Sequence, residues 1–137
     1  MHASRTLAAA ALAAALSLGV CGRADAQTGT PAAWQATPAS VLKTALRSLA
    51  AAQERYRAAH GVYAGTADRL GLKADPGARV EILAAGTAGW QAKAVHAAQP
   101  GRSCVVWVGT LAAEPPRTDG DREMAGEEGV PLCDRMR

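Results

Sequence analysis

The strongest constraint in this sequence is that it offers one long amphipathic helix and no second one for it to pack against. Thr37-Pro38 opens the stretch, with the threonine as N-cap and the proline in the first turn, where its missing N–H removes no hydrogen bond. Val41, Leu42, Ala45, Leu46, Leu49, Ala52, Tyr56 and Ala59 then recur at three- and four-residue steps, which places them on one stripe. Lys43, Arg47, Glu54, Arg55 and Arg57 fall mostly off it. Gly61 tolerates the left-handed conformation that closes a helix, so the helix is expected from about Pro38 to His60. A lone stripe must be buried on something else, and the rest of the chain supplies strands.

Residues 79–84 set Val80 and Ile82 on one face. Residues 89–96 set Trp90, Ala92 and Ala94 on one face, with Gln91, Lys93 and Val95 on the other. Residues 103–108 are apolar without interruption from Cys104 to Val108, the pattern of a more buried strand. Gly86-Thr87-Ala88-Gly89 and Gln99-Pro100-Gly101 read as hairpin turns between them. Before the first strand, residues 61–77 read as a loop in which Val62, Tyr63, Leu70 and Leu72 tuck back against the helix, with a short helical turn at Asp68-Arg69-Leu70. The expected fold class is therefore α+β, one long N-terminal helix packed on a three-stranded antiparallel meander. The chain contains no Phe, so Trp90 and Trp107 are expected to supply core volume.

Ahead of the helix, His2 and Arg5 precede an apolar run from Leu7 to Val20. That run is shorter than the roughly 20 apolar residues of a bilayer span and has the length of a signal-peptide core. Ala24-Asp25-Ala26 presents small residues at alternate positions, as signal peptidase requires. The domain reading is a signal peptide over 1–26, a flexible leader over 27–36 that carries Trp34, and one globular domain over 37–137. A second processing route starts from Leu18-Gly19-Val20-Cys21, which is similar to a lipobox and would make Cys21 the lipidated residue of a membrane-anchored lipoprotein. Val20 is bulky where a small residue is usual, so the leading reading is a periplasmic or secreted protein that begins at Gln27.

In such an oxidising compartment the two remaining cysteines, Cys104 and Cys133, are expected to form a disulfide. A cross-link of that span contributes on the order of 3 kcal/mol. Between them, residues 114–130 shift to Pro, Gly and charge, and the bond turns this segment into a closed C-terminal loop. No C-x-x-C is present, and the cysteines and histidines lack zinc-ligand spacing. Charge is near balance, 15 Lys+Arg against 12 Asp+Glu, and scattered, which is no nucleic-acid footprint. His60 and His96 are isolated, and the helix dipole accounts for a histidine at the helix C-terminus. With no Ser-His-carboxylate or paired-carboxylate pattern, the reading is a non-catalytic protein.

Residues 46–64, ending Gln53-Glu54-Arg55-Tyr56-Arg57-Ala58-Ala59-His60-Gly61-Val62-Tyr63-Ala64, form a Gln/Tyr-bearing helix that stops at a Gly and is followed by a Tyr. Downstream come Gly89-Trp90-Gln91-Ala92-Lys93-Ala94, the Cys104 strand, and Gly129-Val130-Pro131-Leu132-Cys133-Asp134. In this order, residues 41–134 resemble the globular domains of bacterial type IV pilins and of type II secretion pseudopilins. The prepilin leader, its Gly cleavage site and a helix beginning Phe-Thr-Leu-Ile-Glu are not in this sequence. In pilins that helix anchors the subunit and packs the filament core.

The resemblance thus implies a pilin-like roll without the assembly helix. Its expected role is that of a structural or interaction protein of the envelope, a soluble monomer or weak dimer. Its expected partners are other envelope, pilus or secretion proteins, with Trp34 a candidate interaction anchor. Some pseudopilins bind calcium in their C-terminal loop, which singles out Asp119, Asp121 and Glu123, with Glu127 and Glu128 nearby. A secreted small-ligand or calcium-binding module is accordingly the alternative function. Arg122 sits inside that cluster and the twelfth position of an EF-hand count is Val130, so a solvated acidic loop is the default reading and no cofactor is expected.

Mass spectrometry of the exported protein should find a chain beginning at Gln27 with both remaining cysteines oxidised. A lipid-modified chain beginning at Cys21 would replace the first route by the second.

Overall fold

The computed structural model describes residues 36–73 and 75–136. The readings for residues 1–26, Cys21, Trp34 and the rest of the leader up to residue 35 lie outside the described residues.

Helix α1 (Pro38–His60) has the expected bounds and the expected caps. Thr37 Oγ1 accepts the Ser40 N–H at 3.2 Å, and Gly61 at φ 74° donates its N–H to the Arg57 carbonyl at 2.7 Å. A short 3-10 helix, Ala67–Leu70, follows. Strands β1 (Ala78–Ala85), β2 (Gly89–His96), β3 (Ser103–Gly109) and β4 (Leu132–Cys133) form one antiparallel sheet in the order β1-β2-β3-β4. The fourth strand corrects the three-stranded expectation. At two residues it is too short to carry an alternating pattern, and it exists because β3 and the disulfide hold it in register, with Cys104 opposite Cys133 and Val105 opposite Leu132.

The core lies between α1 and one face of the sheet. Leu42, Leu46 and Leu49 of α1 meet Trp90, Ala92 and Ala94 of β2 and Cys104 and Val106 of β3, with Tyr63 closing one end. Two alanines on β2 give leucines the room to approach the central strand at normal packing density. Leu70, Leu72, Val80 and Ile82 close the β1 side. The helical stripe ends at Gln53: Tyr56 is half-buried with its ring 4.1 Å from that of His60, and Ala59 is exposed, contrary to the periodicity. The last turns of α1 run past the core, where a repeat of apolar residues has nothing to bury against.

Trp90 is fully buried, as expected, although its indole N–H has no partner among the described residues. Trp107 is different. It alternates with Val106 and so points away from α1, where it is half-buried and donates its indole N–H to the Ala125 carbonyl at 3.1 Å. Val105, Ser103 and Gln91 share that second face and are buried as well, because the C-terminal loop covers it. The unbroken apolar run of β3 thus reflects burial on both faces.

Leu49→Ala should cost about 2–5 kcal/mol in chemical denaturation, the range for a cavity at a fully buried leucine. Ala59→Ser should stay within about 0.5 kcal/mol of the parent.

Candidate functional site in the C-terminal loop

The free edge of β3 is occupied along its length by residues 128–134. The Asp134 N–H donates to the Ser103 carbonyl at 2.9 Å and the Gly129 N–H to the Trp107 carbonyl at 2.8 Å. The Glu128 carboxylate accepts the Gly109 N–H at 2.6 Å. Cys104 and Cys133 face each other between hydrogen-bonded positions, with Cα atoms 3.9 Å apart, at the kind of pair where opposing side chains lie closest. The expected disulfide is formed there.

One carboxylate organises the rest. Asp134 is 3% exposed. Its Oδ2 accepts the N–H of Ser103 at 2.8 Å and of Gly120 at 2.9 Å, and its Oδ1 accepts the N–H of Asp121 at 2.6 Å. The buried Thr118 hydroxyl also donates to it. Burial alone would raise the Asp134 pKa, but the donors from Asp121, Gly120, Thr118 and Ser103 outweigh it and hold the carboxyl below its ordinary value.

Ser103 Oγ accepts the Asp119 N–H at 2.8 Å, so the serine holds the loop through its side chain as well. The loop arrives there as a narrow ribbon: Arg117 bridges Met124, and the Thr118 N–H donates to the Glu123 carbonyl at 2.9 Å. At its tip a Cβ on Gly120 would lie 2.7 Å from Arg102 Nη1, so a larger residue here would have to push aside the guanidinium that pairs with Asp121.

Two of the three candidate calcium ligands, Asp119 and Asp121, are engaged otherwise. Asp121 Oδ1 pairs with Arg102 Nη1 at 2.7 Å, and its Oδ2 accepts the Arg135 N–H at 2.8 Å. The Arg135 N–H, then Arg102, hold its carboxyl below the ordinary value. Asp119 pairs with Lys93 at 3.3 Å, and the Glu123 side chain is exposed. Among the described residues no three His, Cys, Asp or Glu side chains are grouped so as to hold a metal ion. Glu127 is exposed, and Glu128 is the edge cap described above. His60 stacks on Tyr56, while His96 accepts the Ala98 N–H on Nδ1 at 3.1 Å.

A second constellation sits where α1 ends. Gln53, fully buried, grips one residue with both ends of its amide: Nε2 donates to the Ala64 carbonyl at 2.9 Å and Oε1 accepts the Ala64 N–H at 2.8 Å. The Tyr63 hydroxyl donates to Glu54 Oε1 at 3.1 Å and accepts from Arg57 Nη1 at 3.2 Å. Burial, then the Glu54 hydrogen bond, raises the Tyr63 pKa. The Tyr63 N–H donates to Gly86 at 3.0 Å, which ties this corner to the β1–β2 turn.

Sequence reasoning missed Asp134 and Ser103 as partners. A signal was present: once Cys104 is paired with Cys133 across antiparallel strands, the residues flanking them, Ser103 and Asp134, must also face each other. No family model matches the chain, and a search of curated proteins finds no match.

Asp134→Ala should cost on the order of 3 kcal/mol, because buried N–H donors lose a charged acceptor. A carboxyl with a depressed folded-state pKa stabilises the fold above its unfolded value of about 3.9 and loses that contribution as pH falls through the folded value. Stability measured from pH 7 downward should therefore decline below about pH 4, and the decline should be shallower in Asp134→Ala.

Proposed function

We propose that this is a pilin-like, non-catalytic structural or interaction protein of the bacterial envelope, exported to the periplasm or beyond. The observation that carries this reading is the succession of a long helix, a Gln53/Tyr63 corner, an antiparallel meander and a C-terminal loop closed by Cys104–Cys133. The loop is held by the Asp134 carboxylate, the disulfide and the Asp121 ion pairs, so it presents a fixed surface that loses little entropy on binding. Met124 at 44% and Val130 at 46% exposure are its large apolar side chains open to solvent. They are the contact points we assign to an envelope, pilus or secretion partner.

The test is affinity capture from the envelope fraction of the host, with captured proteins identified by mass spectrometry. Pilus or secretion components should be recovered with the parent protein. Met124→Glu and Val130→Glu should reduce that recovery while leaving the melting temperature unchanged. Recovery of no such component, or recovery indifferent to both substitutions, defeats the reading. A rise in melting temperature on adding calcium would support the alternative of a calcium-binding module, since a ligand bound only by the native state stabilises it.

A further inference from the structure

The two edges of the sheet are treated differently. The β3 edge is filled by residues 128–134, whereas β1 has no strand on its outer side among the described residues. The phase of the ladder determines which backbone groups β1 presents there. The Ala97 N–H donates to the Gly77 carbonyl at 2.8 Å, and Gly86 to Gly89 at 2.9 Å, which makes Gly77–Ala97 and Gly86–Gly89 hydrogen-bonded pairs. Antiparallel alternation then turns Arg79 and Glu81 toward β2 and turns the N–H and C=O groups of Val80 and Ile82 outward. The Ala78 N–H is taken by the Asp75 carbonyl at 2.9 Å, but no partner meets the outward groups of Val80 or Ile82 among the described residues. Beside this stretch lies an open crevice of ≈ 510 Å3, between Gly65, Thr66, Ala67 and Asp68 on one side and β1 from Arg79 to Ile82 on the other.

The side chains make this edge complementary to itself. We propose that β1 pairs with β1 of a second copy of this chain, antiparallel about Val80, so that two four-stranded sheets join into one. In that register Val80 faces Val80, Ala78 faces Ile82, and each Arg79 lies opposite a Glu81 of the other copy. Arg79 and Glu81 are both exposed and both on the face away from α1, so the pairs form without burying a charge in the core. Registers centred on Arg79 or Glu81 would put like charges opposite one another and would also meet the wrong backbone phase. Half-buried Ala78, Val80 and Ile82 would continue the core across the junction. The irregularity between Ile82 and Ala84 limits the pairing to residues 78–82, which makes a reversible dimer of a small protein rather than a permanent one. This inference rests on the edge alone and not on the pilin-like reading.

The test is sedimentation equilibrium of the purified full-length mature protein over a concentration series. The parent should show a reversible monomer–dimer equilibrium. Val80→Pro should abolish the dimer while keeping the fold, checked by circular dichroism, because the Val80 N–H makes no bond among the described residues. Arg79→Glu and Glu81→Arg should each weaken dimerisation about tenfold by placing like charges opposite one another. The combined R79E/E81R exchange should restore it, since the exchanged residues again face opposite charges. A protein that stays monomeric up to about 1 mM overturns the proposal. So does a dimer that survives Val80→Pro, or an R79E/E81R protein no better than the single variants. If Val80→Pro fails to fold, the charge-exchange series decides the matter on its own.

Discussion

The carboxylate of Asp134 is the interaction on which the rest of the C-terminal half depends. It accepts hydrogen bonds from Ser103, Gly120 and Asp121 at once, so a single buried charge joins β3, the tip of the loop and the chain end. A loop of this composition has little apolar surface of its own and would not pay its ordering entropy unaided. The disulfide one residue away restricts the unfolded chain, and the carboxylate orders the folded one. The two act at adjacent rungs of the ladder. With those rungs in place Thr118, Ala125 and Pro116 are buried, and the second face of the sheet is covered.

This gives the small domain two cores of different character. Between α1 and the sheet, leucines meet alanines and a tryptophan in an apolar layer. Beneath the loop, Val105 and Trp107 lie with Ser103 and Gln91 in a layer held mainly by hydrogen bonds and ion pairs. Chemistry follows from the distinction. The acidic residues of the loop are not a pool of free ligands, because Arg102, Arg135 and Lys93 already neutralise the two aspartates nearest the hub. These pairs hold the shape of the loop.

Much of the fold was legible because it is written in short-range patterns. The caps at Thr37 and Gly61, the stripe through Leu42, Leu46 and Leu49, and the alternation in β2 each involve residues within a few positions of one another. Trp107 supplies volume beneath the loop and not against α1, a distinction that an unbroken apolar run does not make. Ala59 was misplaced because periodicity continues after the core has ended. The acidic trio was legible as a cluster, but its counter-charges come from Lys93, Arg102 and Arg135, which no spacing rule connects to it.

By itself the sequence determined the bounds of α1, those of the three longer strands to within one residue, and that Cys104 and Cys133 were available to each other. The helix and strands depend on backbone propensity and local periodicity, which a stretch of ten or twenty residues contains in full. Tertiary structure alone decided that a fourth strand exists, that the loop covers the second face, and that Asp119 and Asp121 are ion-paired. It also decided that, among the described residues, no strand flanks the outer edge of β1 while residues 128–134 fill that of β3. Each of these turns on groups far apart in the chain, such as Asp134 and Ser103, 31 positions apart, whose meeting depends on strand register.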